Sequence, residues 1–379
     1  MIRCFIEAYP WDLTHPGADA VLAALRGEVG VTGLAVWAAA PPVTTFRIRD
    51  WQPRVFRSRG GLYFQPTKDR YERTRCRPLI SSWTHEGERF HRIAAACERH
   101  GLQLRLILSA AAVGRLAEHY PEFAARNLFG VESASGLCLG NPDVQEYLVS
   151  VIADVTAQYA PAGVVLSDFA VTWREAFQHE FSAGVLGDVH RRLMGVCFCV
   201  GCRQQAEEAG VDAGGAAEQA GTLLQSAFID GAPPLTFDEV CSGNPAFAEY
   251  LCFQQERLHG LAHRLIAAGP CEVLIQRELH APHTCGVDRL DSGAPGAILT
   301  AIRRSEDLDQ IKLGRAARSE LSVPASMAAS ARAPELVSTI QRAATMGISG
   351  VQIAHFGLLA DPMLSPIKQA IRFARRTAE

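Results

Sequence analysis

The chain has 379 residues, 48% of them hydrophobic and 20% charged, with a net charge of −3. That is material for one large domain or two ordinary ones, and the absence of any basic stripe argues against nucleic acid and anionic membrane as partners. No run reaches the ~18 consecutive apolar residues of a membrane span. The eleven cysteines form no secreted-type disulfide framework, and MIRCFIEAYPWDL does not follow the pattern of a secretory signal. A soluble cytoplasmic protein with free thiols and one metal site is expected.

Eight short runs rich in Val, Ile, Leu and Phe punctuate the chain: RCFIEAY (3–9), VTGLAVWAA (31–39), LQLRLILSA (102–110), GVVLSDF (163–169), CEVLIQRE (271–278), AILTAIR (297–303), ELSVPASM (320–327) and GVQIAHFG (350–357). Most are nearly continuous apolar stretches, the pattern of strands covered on both faces, as in a parallel sheet. Helical periodicity fills most of the gaps: 18–30, 90–101 ending at Gly101 as a helix C-cap, 141–160, 244–269, 333–347 and 366–378. Asn141 and Asn244, each followed by proline, read as N-caps.

Strands alternating with helices predict an α/β chain folded as a (β/α)8 TIM barrel, read as a single domain over 1–379. The barrel needs ~250 residues, so the surplus falls in long loop insertions at about 40–84, 110–140 and 169–244, each after a strand C-terminus and therefore on the catalytic face. An open doubly wound sheet is the alternative. No Gly-x-Gly-x-x-Gly follows the first strand, and no phosphate-binding loop of the Walker type occurs.

A barrel draws its chemistry from the C-terminal ends of its strands. Here these supply Glu7 with Tyr9 and Trp11, Trp37, Ser109, Asp168, the Gln276-Arg277-Glu278 triplet, Arg303, Ser326 and His355. Carboxylates beside aromatic faces suit sugar chemistry: the first move glycosidic protons, the second stack on pyranose rings. Asp168 is the candidate acid, or else an N-cap or a partner of Arg174. Glu278 ends the next strand and is a candidate second carboxylate. Glu7 is a third, with a structural ion pair to Arg277 as its alternative role. Trp37, Trp173, Arg174, Arg277 and His355 are candidate sugar-binding residues.

Cys197, Cys199 and Cys202 form a Cys-x-Cys-x-x-Cys array in which Gly201 supplies the tight turn. Tetrahedral zinc requires a fourth ligand, and Cys138 is the first choice, ahead of Cys76, His179 and His190. Four protein ligands close the coordination shell, so a structural ion is expected; buried free thiols are the alternative.

The run NPDVQEYLVSVIADVTAQYAPAGVVLSDF (141–169) resembles bacterial glycoside-hydrolase-like barrels, in which such a helix feeds a fourth strand ending in an acidic residue. CFCVGCRQQAEEAGVD (197–212) resembles the stretch after the fourth strand of zinc-containing family 42 beta-galactosidases, where an upstream cysteine completes the site, the position Cys138 would take. GISGVQIAHFGLL (347–359) resembles the eighth strand of the same group. Barrels of this clan carry an acid/base Glu after Asn on strand four and a nucleophilic Glu on strand seven. Here strand four ends in Ser167-Asp168, and ELSVPASMA ends without a carboxylate.

The resemblance implies a glycosidase acting on a small glycoside or oligosaccharide, with Asp168 as acid and Glu278 or Glu7 as base or nucleophile. Two other readings are a sugar-binding pseudoenzyme and a metal-dependent sugar epimerase, isomerase or lyase using Glu7 and His355. A homo-oligomer is compatible with the sequence.

Overall fold

Eight of the apolar runs form the eight parallel strands of a closed barrel: β1 (Arg3–Ala8), β2 (Gly33–Ala40), β3 (Gln103–Ser109), β4 (Gly163–Ser167), β5 (Glu272–Glu278), β6 (Ala297–Ala301), β7 (Arg318–Pro324) and β8 (Gly350–Ala354). The computed structural model describes residues 2–49, 54–86, 88–170, 188–229, 236–279, 297–311 and 318–377. Each strand pairs with its neighbours in chain order, and β1 with β8 closes the ring. Stepping by register from Phe5 to Gly33, Gln103 and onward around the ring returns to β1 eight residues before the start, the shear of a (β/α)8 barrel. The strands are apolar throughout because one side faces the barrel interior and the other the surrounding helices.

Those helices are α1 (Ala18–Ala24), α2 (Arg89–Arg99), α3 (Pro142–Tyr159), α4 (Asp188–Gly195), α5 (Val200–Glu208), α6 (Ala213–Ile229), α7 (Phe237–Gly243), α8 (Pro245–Ile266), α9 (Ala333–Thr345) and α10 (Asp361–Thr377). Asn141 caps α3 as expected, its side chain accepting from Asp143 N at 2.9 Å, and Gly101 closes the end of α2 at φ +61°. Asn244 differs from expectation. Its side chain turns back to donate to Val240 O at 2.9 Å and caps the end of α7 rather than the start of α8. The last helix also starts earlier, at Asp361, and carries Pro366 inside it.

The loop after β2 folds into an antiparallel hairpin, Val43–Arg47 with Arg54–Ser58, and Gly61–Leu62 adds an antiparallel edge to β2. The loop after β3 holds a second hairpin, Ala124–Arg126 with Glu132–Leu137. Helices α4 to α8 build a second hydrophobic core from Leu193, Phe198, Ala220, Leu224, Phe247 and Tyr250. The C-terminal half of α8 returns to the barrel core through Leu258, Leu261, Leu265 and Ile266. One helix therefore ties the accessory core to the barrel wall.

The barrel floor is charged and closed. Arg105 is fully buried and bidentate to Glu320, at 2.5 and 2.9 Å. Its guanidinium lies 3.6 Å from the centroid of the Phe5 ring. Arg3 also pairs with Glu320, and Glu272 pairs with Arg3 and Arg318. Burial opposes the Glu320 charge, but Arg105 and then Arg3 hold it below the ordinary carboxylate value. Gly350 makes room here, since a Cβ on it would lie 2.6 Å from the Glu320 carboxyl.

Candidate functional site

At the opposite end, β1, β2 and β8 bring together three residues expected from sequence: Glu7, Trp37 and His355. Glu7 is buried, with 5% of its surface exposed. It accepts from Trp37 Nε1 at 2.9 Å and from Gln352 Nε2 at 2.7 Å. His355 Nδ1 lies 2.9 Å from Glu7 Oε1, an ion-pair contact off the line of a straight hydrogen bond. In place of the ion pair with Arg277 that was the alternative role for Glu7 stands one with His355, because closure of the barrel sets β8 beside β1. Arg277 sits half-buried on β5, within 3.4 Å of Thr300 Oγ1.

Burial works against the charges of both Glu7 and His355, and their mutual attraction outweighs it. Glu7 is held below its ordinary value with the help of Trp37 and Gln352, and His355 above its own.

Tyr9 stacks against this pair. Its ring is 4.6 Å from Trp11, 5.0 Å from His355 and 5.7 Å from Trp37, within 18° of parallel to each. Burial raises its hydroxyl pKa above the usual value, and the nearby charges of Glu7, Asp12 and Asp168 raise it further. Glu7 and Asp168, two of the three candidate carboxylates, therefore both bear on one phenol. Asp12 accepts from Tyr9 N at 2.9 Å and fits under Gly357, where a Cβ would lie 2.4 Å from Asp12 Oδ1. Burial pushes its pKa up to about 6, against the opposing pull of the Tyr9 N–H, His355 and Arg47.

Asp168 is the first residue past β4 and not the last within it, as the sequence suggested. It adopts a left-handed backbone at φ +55°, a conformation that Asp tolerates better than most side chains. That turn aims its half-buried carboxylate back over the mouth. Oδ2 accepts from Ser109 Oγ of the adjacent β3 at 2.8 Å and from Ser167 Oγ at 3.2 Å.

Glu278 is the last residue of β5, one strand from Asp168, and its side chain lies outside the described residues. Trp173 and Arg174 lie outside them altogether. Gln352 and Asp12 were not anticipated. Gln352 sits mid-strand in an apolar run, and Asp12 follows a proline in a turn, so neither carries a local signal.

The cysteine expectation holds in geometry. Cys138, Cys197, Cys199 and Cys202 converge with their sulfurs all within 4.8 Å of one another. Cys138 Sγ lies 3.4 Å from Cys202, 3.6 Å from Cys199 and 3.7 Å from Cys197. Cys138 follows the second hairpin, Cys199 occupies the N-cap position of α5 and Cys202 lies in its first turn. Thiolates bound to zinc at ~2.3 Å in a tetrahedron stand about 3.8 Å apart, so the spacing fits such an ion. Tyr250 donates to Cys197 O at 2.7 Å, which ties the centre to α8. Of the alternative ligands, Cys76 and His190 lie outside the cluster and His179 lies outside the described residues; burial pushes the Cys76 thiol up to about 12.

The fold defines a (β/α)8 barrel with a charged mouth. No protein-family model matches the chain, and no curated protein matches it. Solved structures do. A GH42 beta-galactosidase from G. stearothermophilus, solved as a catalytic mutant, is similar with a TM-score of 0.58 at 10% identity, covering 100% of this chain and 57% of that one. The beta-galactosidase of the Antarctic haloarchaeon Halorubrum lacusprofundi gives 0.57 at 13%, covering 100% and 58%. The PgaB (BpsB) glycoside hydrolase domain from Bordetella bronchiseptica gives 0.56 at 8%, covering 99% and 98%. The chain thus spans under three-fifths of either beta-galactosidase and nearly all of the PgaB domain. At these identities the likeness is one of fold. No described helix is long and apolar enough to cross a membrane.

Proposed function

We propose that this chain is a carbohydrate-active enzyme, a glycosidase acting on a small glycoside or oligosaccharide, with Asp168 as its general acid. The observation that carries the reading is the Asp168 carboxylate, turned over the mouth by a left-handed backbone and bonded to Ser109 and Ser167. Such an acid gives its proton to the leaving oxygen, while a second carboxylate activates water or attacks the anomeric carbon.

Glu278 is the better partner, because β5 adjoins β4 and strands stand ~4.8 Å apart. Glu7 receives Trp37, Gln352 and His355, which suits it to holding His355 charged and aimed at sugar hydroxyls. Trp37, Trp173, Arg174 and Arg277 complete the sugar-binding set.

Zinc, held by Cys138, Cys197, Cys199 and Cys202, would be structural, since four thiolates leave no open position for substrate. It would pin the loop after β3 to the helices after β4, within one barrel domain over 1–379 whose insertions at 40–84, 110–140 and 169–244 shape the mouth. Reduced thiols at such a centre suit a cytoplasmic setting.

Asp168→Asn is expected to lower kcat on a responsive aryl glycoside by about 10²–10⁴, and Glu278→Gln similarly. Unchanged turnover in both variants would remove the assignment. The mouth end of β7, Val323-Pro324-Ala325, offers no carboxylate, which favours a second reading, a sugar-binding protein without catalysis. Saturable binding across a broad glycoside panel, with no cleavage of any member, would select it.

A further inference from the structure

Four thiolates around one divalent cation carry a net charge of −2, and this centre is buried apart from a partly exposed Cys199. A buried charge of that size needs compensation from the protein. Part comes from the backbone: Arg126 N donates to Cys197 Sγ at 3.4 Å, and Cys199 and Cys202 sit at the N-terminal end of α5. The side chain that completes it is Arg257, half-buried on α8. Its Nη1 lies 3.7 Å from Cys202 Sγ and 3.5 Å from Gln254 Oε1. Its Nη2 donates to Gln205 Oε1 at 2.5 Å and to Gly140 O. The guanidinium also lies over the Phe253 ring, 5.3 Å from its centroid. A Cβ on Gly140 would stand 2.8 and 2.9 Å from the two Arg257 nitrogens and 3.0 Å from Cys202 Sγ. Position 140 therefore admits the guanidinium to the thiolates only as glycine.

We propose that Arg257 is the charge-compensating positioning residue of the thiolate centre. It neutralises part of the thiolate charge and fixes Cys202, while clamping the loop after Cys138 to α5 and α8. This rests on the zinc reading above. Its rival is a plain brace, in which Arg257 joins α8 to Gly140 and Gln205 with no influence on the metal.

The test is metal affinity on the full chain, read by competition of a chromophoric chelator for zinc and by the thiolate-to-metal charge-transfer band of the cobalt form. Loss of an outer-shell partner of a metal ligand typically costs 10–100-fold in affinity. Arg257→Met should weaken zinc binding by about that factor and perturb the cobalt band. Arg257→Lys, which keeps the charge but not the fork, should recover part of the loss and keeps the test open if Arg257→Met fails to fold. Gln205→Ala, which removes the brace and leaves the guanidinium at the sulfur, should stay within about threefold of wild type. Tight wild-type binding with unchanged affinity in Arg257→Met and Arg257→Lys overturns the role of Arg257 alone. A wild-type chain that takes up neither zinc nor cobalt overturns the zinc reading and this inference together.

Discussion

The two ends of the barrel both bury carboxylates against cations, and they do so differently. At the floor, Arg105 and Glu320 are each fully buried, bidentate and backed by Arg3 and the Phe5 ring. At the mouth, Glu7 is buried but its partner His355 is 30% exposed, and Asp168 is half-buried against two serine hydroxyls. At the floor the Arg105–Glu320 pair is sealed from solvent, whereas at the mouth His355 and Asp168 each keep part of their surface exposed. The same kind of interaction is enclosed at one end and accessible at the other.

The largest expected effect is at the floor. Glu320→Ala leaves the buried Arg105 with only Glu272, 3.5 Å from its Nη2, and loss of one partner of such a buried pair costs about 3–5 kcal/mol. Urea denaturation should show this as a large drop in midpoint. A loss under about 1 kcal/mol would erase the distinction between the two ends.

At the mouth the effect is smaller and depends on pH. The Asp12 pKa rises from 3.8 to about 6 on folding, so the folded state binds that proton more tightly than the unfolded one. Its contribution to stability is full below 3.8 and is lost as pH climbs toward about 6. His355 is also raised, from 6.5, so its contribution holds below 6.5 and is lost at higher pH. Glu7 is lowered from 4.5, so its share is present above 4.5 and lost on acidification. Asp12→Asn should flatten the decline between 3.8 and about 6 and leave the decline above 6.5 in place. Denaturation midpoints across this range decide the matter, and an unaltered lower slope would count against a buried, proton-retaining Asp12.

The smallest effect is at Ser109. Ser109→Ala removes one 2.8 Å bond to Asp168, worth about 0.5–1.5 kcal/mol, so a two- to tenfold fall in kcat/KM is expected. A loss as large as that of Asp168→Asn would make Ser109 a participant and not a support.

How much of this was legible beforehand follows from range along the chain. All eight strands stand out because covering both faces forces nearly continuous apolar runs, a local signal. The four clustered cysteines stand out because a tetrahedral metal site would constrain ligand type and count, which points past three neighbouring cysteines to Cys138. The partner of Glu7 did not, since closure of the ring, which sets β8 and not β5 beside β1, chooses His355 over Arg277, and no periodicity carries it. Asp168 stands out as a residue but not as the one just past its strand, because neither its left-handed φ nor its bond from Ser109, 59 positions away, leaves a local pattern. Asn244 showed the converse error: Asn-Pro before a helix is a fair capping signal, but α7 ends against it and takes its amide first.

The bond from Gln352 to Glu7 joins residues 345 positions apart, which bears on when the mouth comes into being. Closing so long a loop is entropically slow and precedes the contacts that reward it. Glu7 therefore acquires Gln352 and His355 only once β8 has docked against β1, whereas Trp37 reaches it from the adjacent β2. The charged mouth is in this sense a late assembly product, and the first strand holds its carboxylate ready until the last one arrives.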